Sequence, residues 1–250
     1  MFKEYFGIRF EFDHAEVDRI IEEHIQKNQP GYVCSLDGNN FGVAMHDENH
    51  KRILNDAIVN NCDSAWLPTI INSIYGTHYS NYVGADLFLD YIKRKKYRQF
   101  FLGSQKEVLN GLKKEMTKLD PNVTNMRFEE LPFRKVEEFD YQEIGEMINE
   151  DAPDIIWVSL GCPKQENFMN RLQPYLKRGV LFGFGAIFNF YSGLDNAPKR
   201  APKWMLDLRL EFLYRIITEP KKSLKRTWNF WNIFPIVYYR EWNQFRKQKK

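Results

Sequence analysis

The stretch "IIWVSLGCPKQENF", residues 155–168, decides how this chain is read. It opens with Ile155, Ile156, Trp157 and Val158, β-branched or aromatic residues without polar alternation. That pattern suits a strand buried on both faces. The run breaks at Gly161 and Pro163 and at once presents Lys164, Gln165 and Glu166 at the start of a helical pattern. In parallel sheets ligands bind beyond the carboxyl ends of the strands. A helix N-terminus adds free N–H groups and partial positive charge, which suit phosphate. The turn is therefore either a ligand-lining segment or a capped βα turn with a solvated Lys and Glu.

Outward from this stretch the alternation repeats. Helical spacing predicts helices over 14–25 (with Asp13 as cap), 47–58, 87–96, 106–116, 141–151 and 164–176, the last disturbed by Pro174. Apolar runs predict strands over 31–36, 98–103 and 179–186. Strands alternating with helices imply an α/β fold, a Rossmann-like and mostly parallel sheet flanked by helices. Polar turns follow these strands at "LDGNN", "FLGS" and "FGFGAIFNFYSG", and "CDS" (62–64) precedes "AWLP". Several such turns at strand ends can converge on one site.

The chain has 250 residues, enough for one large domain or a domain with an appendage. The net charge is +3, but residues 221–250 hold nine Lys/Arg against one Glu, a local +8 that leaves −5 for the rest. A basic tail thus follows a mildly acidic body, and the division expected is a core over 1–198 and a basic helical appendage over 199–250. Cys34, Cys62 and Cys162 lack CxxC spacing, which fits a reducing cytoplasm. Acidic residues interrupt the N-terminal apolar runs, unlike a signal peptide. No run of about 18 apolar residues occurs.

The "GFGA" at 183–186 is the weak basis for a nicotinamide-dependent oxidoreductase, since position 188 is Phe where a third glycine belongs. Neither a GxxxxGK[ST] loop nor a GxSxG elbow occurs. His46 and His50 would share a face if helical, but the segment also reads as a polar helix start, and no metal site is assigned. No DxD motif is present, so a departing phosphate would need side-chain cations. Arg200, Arg215, Lys222, Lys225 and Arg226 supply them, three of these on one side of a helix–turn–helix around Pro220. Beyond them Trp228, Trp231, Phe234, Tyr238, Tyr239 and Trp242 alternate with cations. This composition suits a lipid headgroup boundary; nucleic acid and an oligomer contact are its rivals.

Taken together, "VSLGCPKQE" (158–166), "FGFGAIFNFYSG" (182–193), "RAPKWM" (200–205), "LEFLYRIITEPKK" (210–222), "YVGADLF" (82–88) and "NDAIVNNCDS" (55–64) resemble the WecG/TagA/CpsF family of bacterial glycosyltransferases, glycosyltransferase family 26, over about residues 31–227. The resemblance implies an inverting, metal-independent transfer from a UDP-sugar, of N-acetylmannosamine or glucose type, to a polyprenyl-diphosphate-linked saccharide in surface-polysaccharide synthesis. It implies no cofactor, a peripheral enzyme on the cytoplasmic face of the membrane held by its tail, a homo-oligomer as an option, and no nucleic acid partner. By resemblance Asp63 is the general base, and Arg215, Lys222 and Lys225 meet the diphosphate. Ser35, Asp37, Asn39, Gly84, Gly103, Gly161, Lys164, Gln165, Glu166, Gly185, Asn189 and Arg200 are the expected substrate-binding positions. Departures are Ser64 in place of the family's glycine after the aspartate, Asp37 where a Thr-x-Asn turn ends, Asn81 for an arginine, and lysines at 222 and 225, which keep charge but lose the bidentate fork.

Overall fold

The computed structural model describes residues 3–208 and 210–248, without the side chains of Asp207, Lys222 and Gln248. Strands β1 (Lys3–Tyr5) and β2 (Ile8–Phe10) form an antiparallel hairpin. Strands β3 (Gly31–Leu36), β4 (Val59–Cys62), β5 (Gln99–Gly103), β6 (Arg127–Glu129), β7 (Ile155–Ser159) and β8 (Val180–Gly183) form a six-stranded sheet in the order β4-β3-β8-β7-β5-β6. Every neighbouring pair in it is parallel. This is the α/β architecture expected from the alternation of runs.

The opening stretch is the heart of the core. Ile156 and Val158 belong to one apolar cluster, Ile155 and Trp157 to the other. Alternate side chains of one strand therefore serve opposite faces of the sheet, which explains its continuous apolar run. Trp157 is fully buried, and its indole N–H donates to Gln99 Oε1 at 2.6 Å, so its one polar group is satisfied.

Several elements differ from expectation. The "DGNN" turn is a helix start: Asp37 caps the helix Gly38–His46 by accepting from the Asn40 N–H at 2.7 Å. Asp47 then caps a separate helix, Glu48–Asp56, so His46 and His50 do not share a helix face. β4 was hidden by its asparagines. Asn60 Nδ2 donates to the Arg9 and Leu54 carbonyls, and Asn61 Nδ2 to Ser35 Oγ and the Tyr82 carbonyl. These four bonds satisfy the amide N–H groups and let polar residues occupy a buried strand, although Asn60 Oδ1 and Asn61 Oδ1 have no partner among the described residues. The helix read from 87 begins at Gly84, and the one read to 176 ends at Leu172, just before Pro174.

The basic tail is fastened to the body. Helix Pro220–Trp231 crosses helix Gly38–His46 so closely that a Cβ on Gly42 would lie 2.4 Å from the Asn229 carbonyl oxygen. Phe230 is buried beside Phe41, with ring centroids 5.8 Å apart. In the last helix, Phe234–Gln248, buried Glu241 accepts from the Phe6 N–H at 2.9 Å and the Tyr75 hydroxyl at 2.7 Å. Gly42→Val is therefore expected to prise the crossing helix away, at a cost of about 1–3 kcal/mol. A lower urea midpoint and new proteolytic cleavage near residues 218–222 would record it; an unchanged midpoint would contradict this account of the crossing. No helix among the described residues is long and apolar enough to cross a membrane.

Candidate active site

The carboxyl ends of β3, β4, β7 and β8, together with the helices Glu211–Thr218 and Pro220–Trp231, line a cleft of about 1030 Å³. Asp63 lies at the end of β4. Its backbone N–H donates to the Leu36 carbonyl at 3.0 Å, tying the turn to β3. Its Oδ1 accepts the Gly84 N–H at 2.8 Å, at the start of helix Gly84–Lys93. Burial pushes the Asp63 carboxyl up to about 6. The Gly84 N–H opposes that rise, the Asp37 and Glu211 carboxylates add to it, and Arg215 opposes it. A carboxylate with such a pKa is charged at neutral pH and basic enough to take a proton. Ser64 accepts from the N–H groups of Trp66 and Leu67 at 3.2 Å. The serine at this departure thus tethers the start of helix Leu67–Tyr75.

Arg215 enters from the tail. Its Nε donates to Glu211 Oε1 at 3.0 Å, and its guanidinium lies 5.1 Å from the Phe190 ring. Glu211 was not singled out by sequence; its signal was the i,i+4 spacing to Arg215. Trp66, also missed, meets Phe212 and Trp231 edge-on at 6.4 and 6.3 Å and walls the cleft beside Asp63.

The PKQE turn has a different construction from the expected one. Gln165 Nε2 donates to the Gly183 carbonyl at 2.9 Å and to Glu166 Oε1 at 3.0 Å; its Oε1 accepts the Gly161 N–H at 3.1 Å. The amide is a strut between β7 and β8 as well as a lining group. Glu166 is fully buried and also accepts from Asn40 Nδ2 at 3.0 Å, so its partners are amides and not Lys164. Burial pushes it up to about 7, against the Gln165 hydrogen bond. The Lys164 ammonium lies over Phe133 and Phe139, 5.3 and 5.1 Å from the centroids. A Cβ on Gly185 would stand 2.6 Å from the Gly161 backbone. The "GFGA" glycine spacing thus serves the close approach of two strand-end turns.

Of the expected residues, Ser35, Asp37, Asn39, Asp63, Gly161, Lys164, Gln165, Gly185, Asn189, Arg200 and Arg215 line the cleft. Gly84 reaches it through its N–H to Asp63. Glu166 lies beneath the lining, and Gly103 packs on the Ser159 carbonyl, leaving the wall to Ser104. Lys225 is exposed and outside the lining, because it sits on the outer face of its helix; Arg226, the next residue, lines it instead. The Lys222 side chain lies outside the described residues. Arg200 Nη1 donates to Asp86 Oδ1 at 2.9 Å.

The chain is similar to two Bacillus proteins named N-acetylglucosaminyldiphosphoundecaprenol N-acetyl-beta-D-mannosaminyltransferase. That of Bacillus subtilis (strain 168) is 31% identical over 144 residues, 56% of this chain and 53% of the relative, so the match spans about half of that protein. That of Bacillus spizizenii (strain ATCC 23059 / NRRL B-14472 / W23) is 25% identical over 209 residues, 82% of this chain and 78% of the relative. A family model described as "Glycosyl transferase WecG/TagA/CpsF family" matches residues 4–249, beyond the 31–227 read from motifs alone. With that match spanning the sheet, the cleft and the tail, the chain belongs to the glycosyl transferase WecG/TagA/CpsF family.

Proposed function

We propose that this protein is an inverting, metal-independent glycosyltransferase. It moves an N-acetylmannosamine- or glucose-type sugar from a UDP-sugar to a polyprenyl-diphosphate-linked N-acetylglucosamine in cell-envelope polymer synthesis. The observation that carries the reading is the placement of Asp63 and Arg215 on one cleft at the strand ends. The two relatives' names supply the acceptor class. In the proposed reaction the acceptor hydroxyl attacks the anomeric carbon as the bond to UDP breaks. Asp63 takes the hydroxyl proton, and UDP leaves with the bonding pair. Arg215, Arg226, Lys203 and Arg200 line the cleft and offset the developing diphosphate charge. Lys222 and Lys225 belong to the same basic appendage (199–250), which holds the core (1–198) on the inner membrane face.

The test is UDP release from a panel including UDP-N-acetylmannosamine and UDP-glucose, with a short-chain polyprenyl-diphosphate-N-acetylglucosamine and excess EDTA. Acceptor-dependent release that survives EDTA is expected. Release only after a divalent ion is restored would overturn metal independence. Release from no UDP-sugar would overturn the donor class.

A further inference from the structure

Beneath the PKQE turn, three metal-ligating side chains from three elements converge. His50 comes from helix Glu48–Asp56, Cys162 from the turn after β7, and Glu166 from helix Lys164–Leu172. Each brings one ligand atom, and these atoms all lie within 4.8 Å of one another. His50 and Glu166 are fully buried and Cys162 partly so.

Nothing in the proposed transfer uses this cluster, and its hydrogen bonding is incomplete. Among the described residues, Glu166 Oε2 and His50 Nδ1 are buried without a partner. Each such orphan is destabilising unless a partner occupies it. The remaining atoms are held in place: His50 Nε2 meets Asn40 Oδ1 at 2.7 Å, and Asn40 Nδ2 donates to Glu166 Oε1 at 3.0 Å. Two residues that carry unpaired buried polar atoms thus converge with a thiol on a supported scaffold, a set of ligand types that an ion can occupy.

We propose that His50, Cys162 and Glu166 form a binding site for a soft divalent ion of the zinc class, distinct from the reacting centre at Asp63. Thiolate, imidazole and carboxylate together favour zinc or cobalt over magnesium or calcium. Three protein ligands leave a fourth position for water. Cys162 also lines the cleft, which gives the ion an entry path. On binding, the Cys162 thiol gives its proton to solvent as the sulfur–metal bond forms. Asn40 and Gln165 hold Glu166 Oε1, which leaves Oε2 for the ion. The proposal does not depend on the transfer reaction, which is proposed above to need no metal.

The experiment is a titration of the chelator-stripped, reduced full-length protein with cobalt(II), followed by absorbance. One equivalent should produce a thiolate-to-cobalt charge-transfer band in the near ultraviolet and the visible bands of a tetrahedral ion, both erased by zinc. Cys162→Ser should abolish the charge-transfer band. Glu166→Gln and His50→Gln should keep it but weaken binding at least about tenfold. Circular dichroism checks each fold, and Cys162→Ala replaces the serine variant if that one does not fold. Absence of the band in the unaltered protein would overturn the site. So would a band that survives loss of Cys162, or cobalt affinity unchanged in both Glu166→Gln and His50→Gln.

Discussion

Asp63→Asn is expected to lower kcat by about three orders of magnitude while leaving UDP affinity within about twofold, since a positioned general base contributes roughly 10²–10⁴. Asparagine keeps the shape and can still accept the Gly84 N–H that holds Asp63 Oδ1 at 2.8 Å. The turn therefore stays in place while the basic oxygen is lost. The unaltered enzyme supplies an independent signature. Asp63 acts only when ionised, and burial places its carboxyl at about 6. Below that pH, kcat/KM should fall one decade per pH unit; above it, the profile should level. Asp63→Asn should lose this limb. Glu166, which burial pushes up to about 7, is the other group that could produce one. A Glu166→Gln enzyme that keeps the limb assigns it to Asp63. Near-normal turnover by Asp63→Asn, or a limb that disappears only with Glu166, would remove Asp63 from the base role.

The strand pattern was legible because burial on both faces leaves a plain signature: "IIWVS" and "QFFLG" have no polar alternation to confuse with a helix. β4 was not legible, because "VNNC" owes its place to hydrogen bonds from Asn60 and Asn61 to residues far along the chain. Asp37 was read in a turn when it caps a helix, Gly38–His46, that the sequence reading did not include. For the site, motif resemblance gathered residues that do line one cleft, such as Asp63, Asn39, Gln165 and Arg215. What it could not give was the direction of each side chain. Gln165 spends its amide on two strand-end turns, Lys164 lies over two aromatic rings, and Lys225 points outward where Arg226 points in. Glu211 and Asn40 lie inside quoted stretches, but their roles become visible only through their partners.

The second large effect is expected at the membrane. Truncating the tail would be a poor test, because Phe230 and Glu241 are part of the packed body. The outer face offers a cleaner one. Ile217, Leu224 and Trp228 are 76%, 56% and 68% exposed. Leu224 and Trp228 are four apart on one helix, one turn along the same face. Replacing all three with serine removes little from the folded protein. Burying an apolar side chain of this size is worth about 1.5–3 kcal/mol. Even half-insertion of three such residues gives about 3 kcal/mol, or roughly 10²-fold in vesicle affinity. The basic residues add about 1 kcal/mol each near an anionic surface, and salt screens that share. In flotation with anionic vesicles, the triple-serine variant should bind about 100-fold more weakly, whereas added salt should weaken the unaltered protein only partly. Binding of single-stranded nucleic acid would behave differently, with steep salt dependence and no response to vesicles. Unchanged flotation of the triple-serine variant would sink the membrane role of this face, since its charges alone would then account for the binding.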